Sequence, residues 1–268
     1  MNFTNSVSIT KIVLICLIVS QISNKHAKKT NKISLDASGD SYDRYLLATS
    51  WQGTTCKFHH CTHFGSSTVF NLHGLWPSTS GNSPEECTSL DFTENDLDDY
   101  LKRNLYNYWN SGYHGNWEFI NHEITKHGSC WDPSLGDKSV IDSQVVSTIN
   151  KYNPEDSHSL INTFLEVVLV VSKELNPYDV LAQKNIVPSD SATYQIDDVL
   201  EAVNSHNGTS LGVIPVCLKE KETGDLYLAE LRLCLDLNYK PRECEPGVTY
   251  SHIKRCQSSA LLYPQFPE

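Results

Sequence analysis

Eight of the nine cysteines form an even set, Cys56, Cys61, Cys87, Cys130, Cys217, Cys234, Cys244 and Cys256, while Cys16 stands apart in an apolar leader. In an exported chain such a set predicts four disulfides, so the fold must be a stapled domain whose loops are tied to one core. Export is read from the leader itself. Lys11 precedes the apolar run Ile12–Val19, and Ser20, Gln21, Ser23 and Ala27 follow as small or polar residues, the pattern of a secretory signal peptide. A permanent membrane anchor needs about 20 apolar residues, more than this run supplies. Residues 1–27 are therefore read as a signal peptide, and residues 28–268 as a single domain long enough to bury its own core. Spacing alone does not choose among the many pairings that eight cysteines allow.

No internal repeat or low-complexity linker divides the domain. Tyr45–Trp51 reads as a strand, and so does Val69–His73, with Phe70 and Leu72 on one face and Asn71 and His73 on the other. Gly74 and Pro77 are expected to break the second strand and to leave His73 at its end, beside a turn. Thr93 and Asp96 resemble a capping box, and Leu97, Tyr100, Leu101 and Tyr108 follow at helical spacing. Further helices are predicted over Trp117–His127, Val140–Ile149 and Ser159–Leu175, the last with an all-round apolar run, Val167–Val171, that belongs in a core. Short helical pieces lie between Pro177 and Pro188 and over Ile196–Val203. Val213–Leu218 and Leu226–Asp236 read as strands. In the latter Tyr227, Ala229, Leu231, Leu233 and Leu235 share one face, and Glu230, Arg232 and Asp236 the other. Strands and helices mix without regular alternation, which predicts an α+β domain.

Charge opposes the most obvious use of a histidine-rich site. The chain carries 21 basic and 32 acidic residues, a net charge of −11, and loss of Lys11 and Lys25 with the leader makes it −13. Such a surface repels a polyanion at long range. Ten histidines remain after the leader, and their protonation together with that of carboxylates largely removes the repulsion near pH 5. Asn207-Gly208-Thr209 is an acceptor sequon, expected to carry a glycan once the chain is exported.

Two segments carry the chemistry: Phe70-Asn71-Leu72-His73-Gly74-Leu75-Trp76-Pro77-Ser78 and His122-Glu123-Ile124-Thr125-Lys126-His127-Gly128-Ser129-Cys130. On a helix His122 and Lys126 are i,i+4 neighbours, as are Glu123 and His127, and all four fall within about 140° of arc. Two imidazoles, an ammonium and a carboxylate on one side suit a phosphodiester: cations hold the oxygens, and histidines titrating near neutrality move protons. A zinc-protease helix is disfavoured, because it needs histidines at i,i+4 and these stand at i,i+5. His59, His60 and His63 surround Cys56 and Cys61, but oxidised cysteines ligate no metal, so these are read as loop residues. His114, His158, His206 and His252 show no partner pattern. Trp76 fits either a core anchor or a stacking platform for a base.

Together the two segments resemble the active-site motifs of the ribonuclease T2 family: His-Gly-Leu-Trp-Pro, and His-Glu-Trp-x-Lys-His-Gly-(Thr or Ser)-Cys. The likeness runs from about Tyr45 to the last cysteines and includes Leu233-Cys234-Leu235-Asp236. It implies an antiparallel sheet surrounded by helices, and disulfides Cys56–Cys61, Cys87–Cys130, Cys217–Cys256 and Cys234–Cys244. It implies His127 as general base, His73 as general acid, His122 as phosphate ligand, Glu123 and Lys126 as transition-state stabilisers, and Trp76 as the base-stacking residue. The activity implied is cleavage of single-stranded RNA through a 2′,3′-cyclic phosphate to 3′-phosphates, without metal or other cofactor, and not of DNA. A monomer, secreted or held in an acidic lysosomal or vacuolar compartment and without a membrane anchor, is expected. Three positions depart from the pattern. Ile124 replaces the motif tryptophan and Ile120 stands where many relatives carry another, which predicts altered packing behind the site. Ser78 stands where several relatives have a base-contacting aspartate, so base preference does not carry over.

Overall fold

The alternation along Leu226–Leu235 makes that segment, β5, the spine of the sheet. In the computed structural model, which describes residues 42–79, 83–245, 256 and 260–267, β1 (Arg44–Ser50) pairs antiparallel with β5 from Tyr45↔Leu235 to Ser50↔Glu230. The predicted leader, residues 1–27, and His252 lie outside the described residues. β4 (Val213–Lys219) runs antiparallel along the other edge of β5. On β1's outer side lies β2 (Asn71–Ser78). Past the end of β1, the short β6 (Ala260–Tyr263) meets β5 in parallel at Tyr227↔Leu262 and pairs antiparallel with β3 (Ser189–Gln195). The strand order is β2-β1-β5-β6-β3, with β4 also on β5. Apart from the β5–β6 contact the sheet is antiparallel, as expected.

Helices α1 (Gln52–Phe58), α2 (Asp99–Tyr108), α3 (Asn116–Lys126), α4 (Ser143–Ile149), α5 (Ser159–Glu174), α6 (Pro177–Gln183) and α7 (Ile196–Asn207) surround it. α5 buries Ile161, Phe164, Leu165, Val167, Val168, Leu169 and Val171, which is why its apolar run has no polar stripe. α4 begins three residues later than predicted, because Asp142 accepts the Gln144 N–H and caps it there. The strands β3 and β6 carry no sequence signal of their own: β3 is largely polar and exposed, and β6 is four residues long. The disulfides are Cys56–Cys61, Cys87–Cys130, Cys217–Cys256 and Cys234–Cys244, the same pairing that the resemblance implies.

One expectation is corrected here. β2 does not stop at His73 but continues through Gly74 and Pro77 to Ser78. β2 is an edge strand, so a proline lacking an N–H is tolerated within it. The register explains the rest. Ala48 pairs with Gly74 and Thr49 with Leu72, so His73 is the extra residue of a β-bulge. The bulge lets Leu72 and Leu75, three positions apart, both enter the core.

Candidate active site

The bulge re-aims the His73 side chain away from the strict in-out alternation. Trp109 donates its indole N–H to the His73 carbonyl at 2.9 Å, which fixes the backbone of the unpaired residue. The imidazole then lies between two carboxylates on different elements: Nδ1 is 2.7 Å from Glu230 Oε1 of β5, and Nε2 is 3.5 Å from Glu123 Oε1 of α3.

His127 stands just past the last residue of α3, where its N–H still donates to the Glu123 carbonyl. A short turn, Gly128–Cys130, follows. The Cys87–Cys130 disulfide, the Cys87 N–H on Ser129 Oγ and the Glu86 N–H on the Lys126 carbonyl clamp this corner to the preceding loop. Ile120 and Ile124 are fully buried behind it. Each contributes about 1.5–3 kcal/mol by burial, so the two departures from the motif keep the apolar packing that positions α3.

Trp76 links the two histidines. Its ring centroid is 5.1 Å from that of His73 and 5.2 Å from that of His127, and its N–H donates to Glu123 Oε2 at 2.9 Å. Gly74 makes this contact feasible, since a Cβ there would lie 2.3 Å from Trp76 Nε1 and 2.7 Å from Glu123 Oε2. Half-buried, Trp76 is neither a full core anchor nor a free platform. The guanidinium of Arg232 covers its ring at 5.1 Å.

These surroundings push the two histidines in opposite directions. Burial disfavours charge on His73, but the hydrogen bonds and charges of Glu123 and Glu230 outweigh it and raise the pKa to about 9. For His127 burial dominates, Lys126 adds to it, and the pKa falls to about 4 despite the attraction of Glu123. His127 Nδ1 is buried without a hydrogen-bond partner among the described residues. Glu123 is buried and Glu230 largely so, which favours their neutral forms, but the His73 hydrogen bond and charge hold both carboxyls below the usual range.

Of the predicted residues, the fold thus gathers His73, Trp76, Glu123 and His127. The expectation that His122 and Lys126 converge with them is not met in this state: His122 is exposed, and Lys126 forms an ion pair with Glu85 at 3.3 Å. His127 caps the end of the helix and keeps its spacing, since its N–H still reaches the Glu123 carbonyl. Ser78 is buried and its hydroxyl is engaged with the Trp76 carbonyl and Ser83. Glu230 and Arg232 were assigned no role from sequence. Their signal was two charged residues on one face of an otherwise apolar strand. A cavity of about 210 Å³ opens beside His73 and Glu230, lined also by Ser111, Tyr113, Phe119 and His59. His59 stacks on Tyr113 at 4.2 Å and 11°. Among the described residues no cluster of three or more His, Cys, Asp or Glu side chains has the geometry of a metal site.

Fold and site together define the class: a disulfide-stapled α+β domain with two histidines of opposed pKa around a shared carboxylate, a set suited to proton transfer. Comparison supplies the particular family: residues 42–244 match the Ribonuclease T2 family, and the chain belongs to it. Ribonuclease DdI of Dictyostelium discoideum is 27% identical over 213 residues, covering 79% of this chain and 82% of that protein. Ribonuclease Oy of Magallana gigas is 27% identical over 212 residues, covering 76% and 87%. Among solved structures, the RNase-related protein from Calystegia sepium superposes with a TM-score of 0.61 at 20% identity, covering 85% of this chain and 99% of that one. Ribonuclease MC1 from bitter gourd seeds superposes at 0.58 and 18% identity, covering 83% and 100%.

Proposed function

We propose that this T2-family ribonuclease cleaves single-stranded RNA by internal attack of a ribose 2′-hydroxyl on the adjoining phosphorus. His127, neutral, takes the 2′-hydroxyl proton. The new O–P bond closes a 2′,3′-cyclic phosphate as the P–O5′ bond breaks, and His73, charged, delivers its proton to the departing 5′-oxygen. In the second half the roles reverse, with water adding to the cyclic ester to leave a 3′-phosphate. The observation that carries this reading is the opposed environment of the two histidines, which makes one an acid and the other a base over the same pH range.

His122 and Lys126 are assigned to the phosphate oxygens, Lys126 exchanging its Glu85 contact for the substrate. Glu123 and Trp76 hold the space between the histidines, and the cavity beside His73 accepts a base against Tyr113 and Phe119. A variant of ribonuclease MC1 is known in complex with 5′-GMP, which supports nucleotide binding by this fold. Acid, base and cations all come from side chains, so the route calls for no metal. The leader, the disulfides and the sequon at Asn207 support an exported, glycosylated protein, released from the cell or held in an acidic compartment. Among the described residues no helix is long and apolar enough to cross a membrane.

The test is incubation of the purified mature protein with a short RNA, and with DNA of the same sequence, in excess chelator, with mass analysis of the products. RNA fragments ending in 2′,3′-cyclic phosphate and intact DNA are expected. Cleavage abolished by chelator and restored by zinc, or 5′-phosphate products, would overturn the mechanism.

A further inference from the structure

We infer that Glu230 is a positioning residue for the acid step: it holds His73 through Nδ1 and so presents Nε2–H to the leaving 5′-oxygen. The inference rests on His73 being the general acid, as proposed above. Glu230 sits on the central strand, paired with Ser50 of β1 on one side and Val216 of β4 on the other, so its backbone is fixed from both edges. Its two oxygens have separate tasks. Oε1 meets His73 Nδ1 at 2.7 Å, while Oε2 is gripped by Arg232 Nε at 2.7 Å and Nη2 at 2.6 Å. The same guanidinium covers Trp76, so carboxylate, acid and indole are joined by one side chain.

β1 lies between β5 and β2, and its residues decide whether the contact can form. Ala48 pairs with both Gly74 and Arg232, and Ser50 with both Asn71 and Glu230. Small side chains at these two registers leave a low floor, over which Glu230 and Arg232 reach residues of β2 that lie two strands away. At the other ring nitrogen Glu123 approaches only to 3.5 Å, a weaker contact than the 2.7 Å one that Glu230 makes. That nitrogen is the one left for the substrate, as the logic of an oriented catalytic histidine requires. The charged and titratable groups around His73 are Glu230 and Arg232 from β5, Glu123 from α3, His127 beyond its end, and His59 across the cavity.

Two substitutions separate charge from orientation. Glu230→Gln keeps an acceptor for Nδ1–H but removes the charge, and Glu230→Leu removes both. On ordinary RNA, Glu230→Gln is expected to move the basic limb of kcat/KM down by about one pH unit or more, with a plateau within a few-fold of wild type. Glu230→Leu is expected to lower kcat by about 10-fold or more. On RNA with sulfur in place of the bridging 5′-oxygen, whose departure needs no proton, both variants should approach wild type. Comparing two substrates on one preparation cancels any loss of folded protein. Equal defects on both substrates, with the wild-type basic limb retained, would show that Glu230 serves the fold alone and overturn the inference. His73→Ala run alongside separates the two levels. If the thio substrate fails to rescue it, the assignment of His73 as acid fails and this inference falls with it. If it is rescued while the Glu230 variants keep the wild-type limb, the inference alone fails.

Discussion

His73 and His127 flank the same indole at nearly equal distance, 5.1 and 5.2 Å between ring centroids, yet they are built into the molecule in opposite ways. His73 protrudes from a sheet edge at a bulge and has a carboxylate near each ring nitrogen. His127 closes a helix, is packed into a disulfide-clamped corner, and has one ring nitrogen buried without a partner. Paired charge favours the protonated form of the first, and burial that nearby carboxylates only partly offset favours the neutral form of the second. Identical side chains are therefore shifted in opposite directions by their neighbours, as the proposed acid and base roles require, with Glu123 as the group both of them sense.

The severest way to break this comparison is to remove each histidine in turn. His73→Ala and His127→Ala should each lower the rate on normal RNA by roughly 10²–10⁴. Only His73→Ala should recover on the 5′-thio substrate, since His127→Ala still lacks the base for the 2′-hydroxyl. Recovery of His127→Ala instead would show that the two roles are reversed.

A pH profile sharpens the same contrast. His127 must be neutral to accept a proton, so kcat/KM should be lost as pH falls through about 4; His73 must be charged to donate one, so it should be lost as pH rises through about 9. Within that window, low salt should favour the acid side, because the net charge of −11 repels RNA until histidines protonate. Added salt should flatten the slope near pH 7. A basic limb near pH 6 would mean that the carboxylates do not hold the His73 proton.

The smallest effect is expected where the two histidines communicate. Trp76→Phe keeps a ring but removes the N–H donated to Glu123, a charge-assisted bond worth about 1.5–3 kcal/mol, and should lower kcat/KM by about 10-fold. Gly74→Ala should act similarly, since its methyl group falls on the same hydrogen bond. Wild-type kinetics for both variants would show that this bond does not hold Glu123 in place.

Much of this site was legible from residue order, and the parts that were not share a cause. His73, Trp76, Glu123 and His127 lie in two short segments whose spacing and residue types already suggest phosphate and proton chemistry. Glu230 stands 157 residues from His73 in the chain, so no window of periodicity joins them. No local pattern marks the bulge, because Gly74 and Pro77 ordinarily end strands, and only the edge position of β2 and the register with β1 reveal why they do not. His122 and Lys126 share the helical spacing of the others, but spacing does not say which side of a helix meets solvent: His122 is exposed, and Lys126 is half-buried and paired with Glu85.

By itself the sequence determined the α+β composition, the disulfide-stapled character, the core helix α5 and the two histidine-bearing motif segments, because these depend on local periodicity and on the chemistry of individual residues. Only the tertiary structure sets the two histidines' proton affinities apart. That difference depends on burial and on carboxylates brought from a distant strand and a helix, and spacing along the chain carries no information about the dielectric or the charges that a folded side chain meets.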